Sequence, residues 1–282
     1  MVEKFFQVAL AASARVPDQR AAGRKKGLLL GISAWLRVVG YLAVLQFDQK
    51  FRGSRFSAVL TFLEPLILVV LLVAIRGVLR DSLPNYGTST FVFYSSGIFP
   101  FYVFFRLSVR LRGAAPSPQR RLPQVDSTQM VIASTIAETG IILTTMVVWF
   151  TVMWFLGFKE AAPVRIDLCI VSLAWLCGLG IGVGLLNAAA TKASKIWQFV
   201  YGRATMALAF LSGVFFVVDL LPLSVRSIVV WNPIMHGIEW FRLGLYGTYP
   251  VFTLDRDYLI DTTAIVIILG IAAHRATLRF GQ

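Results

Sequence analysis

Three stretches of this chain run for 20 residues or more without a charged side chain: Ser82–Phe105 (24 residues), Thr139–Phe158 (20) and Leu168–Thr191 (24). About 20 mostly apolar helical residues cross the ~30 Å hydrocarbon core of a bilayer, so each stretch is long enough to span. Three more qualify if one charge is allowed: Ser57–Ile75 with Glu64, Ile196–Val218 with Arg203, and Tyr258–His274 with Asp261. The last gains length by running on towards Arg279, whose long side chain snorkels to the interface. Lipid leaves no partner for an unpaired backbone group, and no ten-residue alternation marks a barrel, so these runs read as helices. The expected fold is an all-α integral membrane protein with six transmembrane helices at about 57–79, 85–106, 136–158, 167–190, 197–218 and 258–278. With 57% hydrophobic and 15% charged residues, the chain departs from the soluble norm in the same direction.

Charge sets the orientation. With the N-terminus inside and six crossings, 20 of the 27 basic residues fall on the cytoplasmic side and 7 outside, the bias that fixes topology. A seventh crossing at Leu28–Phe47 would place the basic N-terminal part opposite the basic second loop, so residues 28–56 are expected to form an interfacial amphipathic helix instead. Residues 1–27 read as a flexible basic cytoplasmic tail, and 57–282 as the six-span domain, with both termini cytoplasmic. A net charge of +13 on so apolar a chain points to anionic lipid rather than nucleic acid.

Enzyme chemistry finds little to work with. Cys169 and Cys177 share one apolar run and His236 and His274 lie far off, which excludes a disulfide framework and a Cys/His metal cluster. There is no phosphate-binding G-x-x-x-x-G-K-[ST] loop. The ionisable groups expected in the membrane are Glu64, Glu138, Arg203 and Asp261, which make no paired-carboxylate pattern. A membrane-embedded glycosyl- or acyltransferase would need an acidic or His cluster at one interface, and none is present. The chain reads as a passive membrane half without catalytic residues or cofactors, powered from elsewhere.

Three local patterns are distinctive. Phe51-Arg-Gly-Ser-Arg55 leads into a span bearing Leu63-Glu-Pro-Leu66, where Pro65 removes a helix hydrogen bond. The fifth run continues through Leu211-Ser-Gly-Val-Phe-Phe216 and Leu221-Pro222 to Trp231-Asn-Pro-Ile-Met-His-Gly-Ile-Glu-Trp-Phe-Arg242. The segment between the last two runs, about Asp219–Asp257, is too apolar for a solvated loop and suggests short helices dipping back into the outer leaflet. In this order, these patterns resemble the membrane subunit of ABC-2-type exporters, in particular capsule-polysaccharide export permeases, with O-antigen export permeases as close relatives. The resemblance runs from about Phe47 to Arg279.

The resemblance implies a homodimer in the bacterial inner membrane, bound to two copies of a cytoplasmic ATPase that holds the ATP and Mg, and moving a lipid-linked polysaccharide. Periplasmic or outer-membrane export proteins are further candidate partners. It also implies an N-terminal interfacial helix, a coupling helix in the second loop, and re-entrant helices between spans five and six. The coupling element is expected in Leu122–Glu138, where Pro123, Asp126, Ser127 and Thr128 form a helix-start signal. The open choice is a short helix parallel to the membrane or one that extends span three. For the glycan path, Phe91, Tyr94, Phe101, Tyr102 and Phe105 of span two offer faces on which sugars stack and slide; an aromatic belt is the alternative. Arg52 and Arg55 sit where a phosphorylated headgroup would enter. In the periplasmic block Trp231, Asn232, Pro233, His236, Glu239 and Arg242 stand out, with Glu239 and Arg242 spaced to pair on one helical face. Gly178, Gly180, Gly182 and Gly184 give two interleaved G-x-x-x-G spacings, expected to pack helices within the subunit. Permeases for O-antigen or teichoic acid, or for a small lipid or drug, remain alternatives.

Overall fold

The computed structural model describes residues 35–48, 55–78, 86–111 and 127–280, and among these residues the structure is helix and turn without strands. A helix α1 covers 35–48. It is followed by α2 (Arg55–Val78), α3 (Thr90–Arg110), α4 (Ser127–Phe155), α5 (Ile166–Ala193), α6 (Lys195–Phe210), α7 (Leu223–Val229), α8 (Pro233–Tyr246) and α9 (Arg256–Phe280). Five of them, α2 to α5 and α9, are long and apolar enough to cross a membrane.

The centre is α3, sixteen of whose 21 residues are buried. Glycine lets α5 press against it: a Cβ on Gly180 would lie 2.9 Å from the Phe104 carbonyl oxygen, and one on Gly184 2.7 Å from that of Leu107. The alternate glycines face α9, where a Cβ on Gly182 would meet the Ile267 nitrogen at 2.8 Å and one on Gly178 the Thr263 methyl at 3.0 Å. Two interleaved small-residue stripes thus seat two different helices against one. Their registers also fix direction. Rising numbers on α5 meet rising numbers on both α3 and α9, so the three run parallel. By contrast α2 and α4 run antiparallel to α3: Arg76 reaches Tyr94 while Glu64 reaches Arg106, and Trp149 donates to Ser95 while Glu138 pairs with Arg106.

Two expectations meet a different backbone. The apolar run 197–218 is not one helix, since α6 stops at Phe210 and the chain turns through Gly213, whose φ of 69° favours a residue without a Cβ. Hydropathy continues past the turn because Val214, Val217 and Val218 are themselves buried. Residues 127–138 are not a separate helix lying along the membrane: α4 is continuous from Ser127, and Gln129, Ser134 and Glu138 are buried in the bundle. They extend the third crossing. Against this extension packs α1, with Val39, Leu42 and Ala43 buried on Ala133 while Leu36, Val44 and Phe47 face outward.

Between α6 and α9 the chain folds back on itself. At its end α8 runs beside the start of α5, with Gly244 against Arg165 and Cys169. Gly237 lies on Leu176, ten residues past the start of α5, or about 15 Å along it. The Pro233 end of α8 therefore reaches well inside the bundle.

Candidate functional site

The span-two aromatics, the expected sugar track, lie in the subunit's own core. Tyr94, Phe101 and Tyr102 are buried, while Phe91 and Phe105 are half-buried. They pack on one another and their neighbours: Phe101 stacks on Phe105 with ring centroids 6.1 Å apart, and Phe91 leans on Phe158 at 6.3 Å. Of the five, only Phe91 and Phe105 keep part of a ring exposed.

The charges singled out separately in the sequence come together instead. Pro65 has no N–H to give, which frees the Thr61 carbonyl, and Arg106 takes it: Nη2 donates to Thr61 O at 2.9 Å and to Glu64 Oε2 at 3.2 Å. On its other side Nη1 lies 3.5 Å from Glu138 Oε2, and Arg110 Nε lies 4.0 Å from Glu138 Oε1. The Arg106 side chain is 3% exposed and that of Glu138 6%, whereas Glu64 is 46% exposed on a cleft of about 340 Å³ lined by Leu60, Thr61, Glu64 and Ile67. In the sequence Arg106 simply follows the uncharged run Ser82–Phe105; the signal that places it at depth is the pair of acids expected in the membrane, Glu64 and Glu138, which call for a cation beside them.

The block after α6 is organised by Arg242, which is fully buried. Nη1 donates to the Gly213 and Phe216 carbonyls at 2.7 and 3.1 Å and to the Tyr249 hydroxyl at 3.2 Å. Nη2 donates to Val214 O at 2.8 Å, and Nε to Ser96 Oγ at 3.2 Å. The guanidinium also lies 4.2 Å from the centre of the Phe93 ring. All three nitrogens are thereby engaged, tying the 213–216 turn to Ser96 of α3 and to Tyr249. The expected Glu239–Arg242 pair does not form: Glu239, also buried, accepts from the Thr253 hydroxyl at 3.2 Å. Burial pushes the Tyr249 phenol up, so it remains a neutral partner for the cation.

Asn232 caps α8, its Oδ1 accepting from Ile234 N–H at 3.1 Å, with Pro233 at the first helical position. Its Nδ2 reaches back to Leu211 O and Ser212 Oγ at 3.1 and 2.9 Å. His236 has both nitrogens engaged: Nδ1 accepts from Asp255 N–H at 3.1 Å, and Nε2 therefore carries the proton towards Val230 O at 2.9 Å. Trp231 alone in this block projects outward, 76% exposed.

Of the remaining expected residues, Arg52, Pro123, Asp126 and the 1–27 tail lie outside the described residues. Arg55 and Ser127 begin α2 and α4, and Thr128 is exposed. Among the described residues no group of His, Cys, Asp and Glu could hold a metal ion.

Helices built for a bilayer, with charges engaged in fastening them to one another, define a polytopic membrane protein of the transporter class. The chain belongs to the ABC-2 type transporter family, whose pattern matches residues 38–246. It is similar to the polysialic acid transport protein KpsM of Escherichia coli, 27% identical over 83% of this chain and 91% of that one. The capsule polysaccharide export inner-membrane protein CtrC of Neisseria meningitidis serogroup B is 24% identical over 84% of this chain and 89% of its own. BexB of Haemophilus influenzae, described in the same words as CtrC, is 21% identical over 83% and 89%.

Proposed function

We propose that this chain is the transmembrane permease subunit of an ABC exporter that carries lipid-linked capsule-type polysaccharide across the bacterial inner membrane. The observation that carries the reading is the near end-to-end similarity to KpsM and CtrC. The energy comes from a separate cytoplasmic ATPase, present in two copies, which binds the ATP and magnesium. The permease itself acts as a homodimer.

The reading has six crossings with both ends cytoplasmic. The parallel course of α5 and α9 supports it, because the segment between them must return the chain across the bilayer. At 16 residues α6 covers about 24 Å of that return, and α7 with α8 forms the hairpin that re-enters from the far side. The antiparallel course of α2 and α3 supports both ends lying on one side, since the start of α2 and the end of α9 then share a face. The ATPase is received in the second loop, the cytoplasmic connection between α3 and α4.

The test is complementation. Expressed with its cognate ATPase in a strain lacking its own capsule-export permease, the chain restores surface polysaccharide, and the ATPase co-purifies with it. Intracellular polymer persisting despite normal membrane insertion of the chain overturns the proposal.

A further inference from the structure

Asn187 is a buried amide in α5, 2% exposed, and it bridges two helices that otherwise meet little. Its Nδ2 donates to Ser108 O at 3.1 Å, in the last turn of α3. Its Oδ1 accepts from Trp197 Nε1 at 3.0 Å, in the first turn of α6. The amide carries a donor and an acceptor on one rigid fork, so a single side chain serves both contacts at once.

The two helices it joins are held very differently. Through Gly180 and Gly184, whose added Cβ atoms would strike α3 backbone at 2.9 and 2.7 Å, α3 and α5 behave as one body. Among the described side chains of α6, by contrast, only Tyr201 and Thr205 are buried. The helix also lies between two non-helical joints. Ser194 before it is extended, at φ −147° and ψ 122°, and the Gly213 turn follows it. A rod with a joint at each end and little side packing moves with whatever holds its start.

We infer that Asn187 is a positioning residue of the transport cycle. It makes the start of α6, otherwise joined to α5 only through the extended Ser194, follow the cytoplasmic end of α3, from which the chain passes through Leu111 into the loop between α3 and α4. A push delivered by the ATPase in that loop thereby reaches the fifth crossing through this amide rather than through the Ser194 joint alone. The inference rests on the permease reading above and goes beyond it in naming the element that carries the motion.

The experiment uses the complete exporter, permease with ATPase, after the unmutated complex has been shown to export. Failure at that first step overturns the permease reading itself. Trp197→Phe keeps an aromatic ring and removes the N–H donor, and Asn187→Leu keeps the size of the side chain without charge and removes both of its hydrogen bonds. In both, glycan exported per ATP hydrolysed falls about threefold to tenfold, the change expected when one buried hydrogen bond no longer biases an equilibrium, while permease abundance and ATPase co-purification stay at wild-type level. An unchanged ratio overturns the inference, as does a loss of export that only tracks a loss of protein. Spin labels at Arg110→Cys and Ile196→Cys, both exposed positions, give a second measurement with Cys169 and Cys177 replaced by Ala. Their distance distribution is narrow with the tie intact and broadens with Trp197→Phe. Equal widths overturn the inference independently of export.

Discussion

Pro65 and Arg106 show how a local defect becomes a tertiary contact. The carbonyl that proline frees on α2 is taken by a guanidinium from α3, and the same guanidinium neutralises one acid from α2 and another from α4. The motif Leu63-Glu-Pro-Leu66 was visible in the sequence, as were Glu64 and Glu138 singly. Their meeting was not, because depth in the bilayer depends on helix register rather than on position in the chain. Arg106→Met takes the nearer cation from the buried Glu138, leaving it Arg110 at 4.0 Å, and is expected to destabilise the protein by about 3 kcal/mol, the low end for breaking a buried ion pair. Arg106→Met with Glu138→Gln recovers much of that loss, since the pair then vanishes together. Thermal midpoints of the purified variants in detergent check this, and equal midpoints for single and double variants sink it. Arg242 makes a second residue-scale case. Arg242→Lys keeps the charge but has one nitrogen for a turn that uses three, leaving buried carbonyls unpaired at about 1–3 kcal/mol each. The expected result is a lower midpoint together with protease cleavage near Gly213 that the native chain resists.

At the scale of elements, the glycine spacing on α5 was legible in full: two G-x-x-x-G stripes predicted two close helix seams within the subunit, and α3 and α9 occupy them. The end of α6 was not legible from apolarity, because the hydropathy of residues 211–218 reports burial in the hairpin just as it would report a span. Only Ser212-Gly213 hinted at a turn. The start of α4 was legible in the helix-start signal at Asp126–Thr128, but whether that helix lay apart or extended span three was not, because its first turns carry polar residues, Gln129, Ser134 and Glu138, that are buried. The seam gives a graded prediction. Gly184→Ala sets a methyl 2.7 Å from backbone, where nothing flexible can yield, and overpacking of this kind costs about 1–3 kcal/mol. Gly140→Ala, with nothing within 4 Å of the added carbon, stabilises by about 0.5–1 kcal/mol through helix propensity. Thermal midpoints of the two variants moving in the same direction would refute the seam.

At the scale of the whole molecule, two apolar faces are exposed among the described residues. Along α2, Leu60, Ile67 and Leu71 are exposed beside the half-exposed Glu64, and along α6, Ile196, Phe199 and Val200 are exposed beside the exposed Arg203. Both helices start on the same side of the bundle. Glu64 is nine residues along one and Arg203 eight along the other, so each charge lies about 12–14 Å deep. Facing lipid there, a side chain such as arginine would cost about 2.5–3.5 kcal/mol, and resting over the Phe199 ring at 4.7 Å does not remove that cost. Opposite charges at matching depth on two uncovered faces are what a second copy would cover, each chain setting α2 against its partner's α6. In a chain lacking Cys169 and Cys177, Leu60→Cys with Phe199→Cys is therefore expected to form a disulfide-linked dimer on mild oxidation in native membranes. Leu60→Cys with Phe252→Cys, which places the second thiol near the start of α9 on the opposite side of the bundle, should give none. Arg203→Gln should lower the yield of the first dimer, because the buried charge that favours closure of the two faces is gone. If both pairs link equally, or neither does, the two faces meet lipid or water instead, and Arg203 must be solvated within the membrane by some other means.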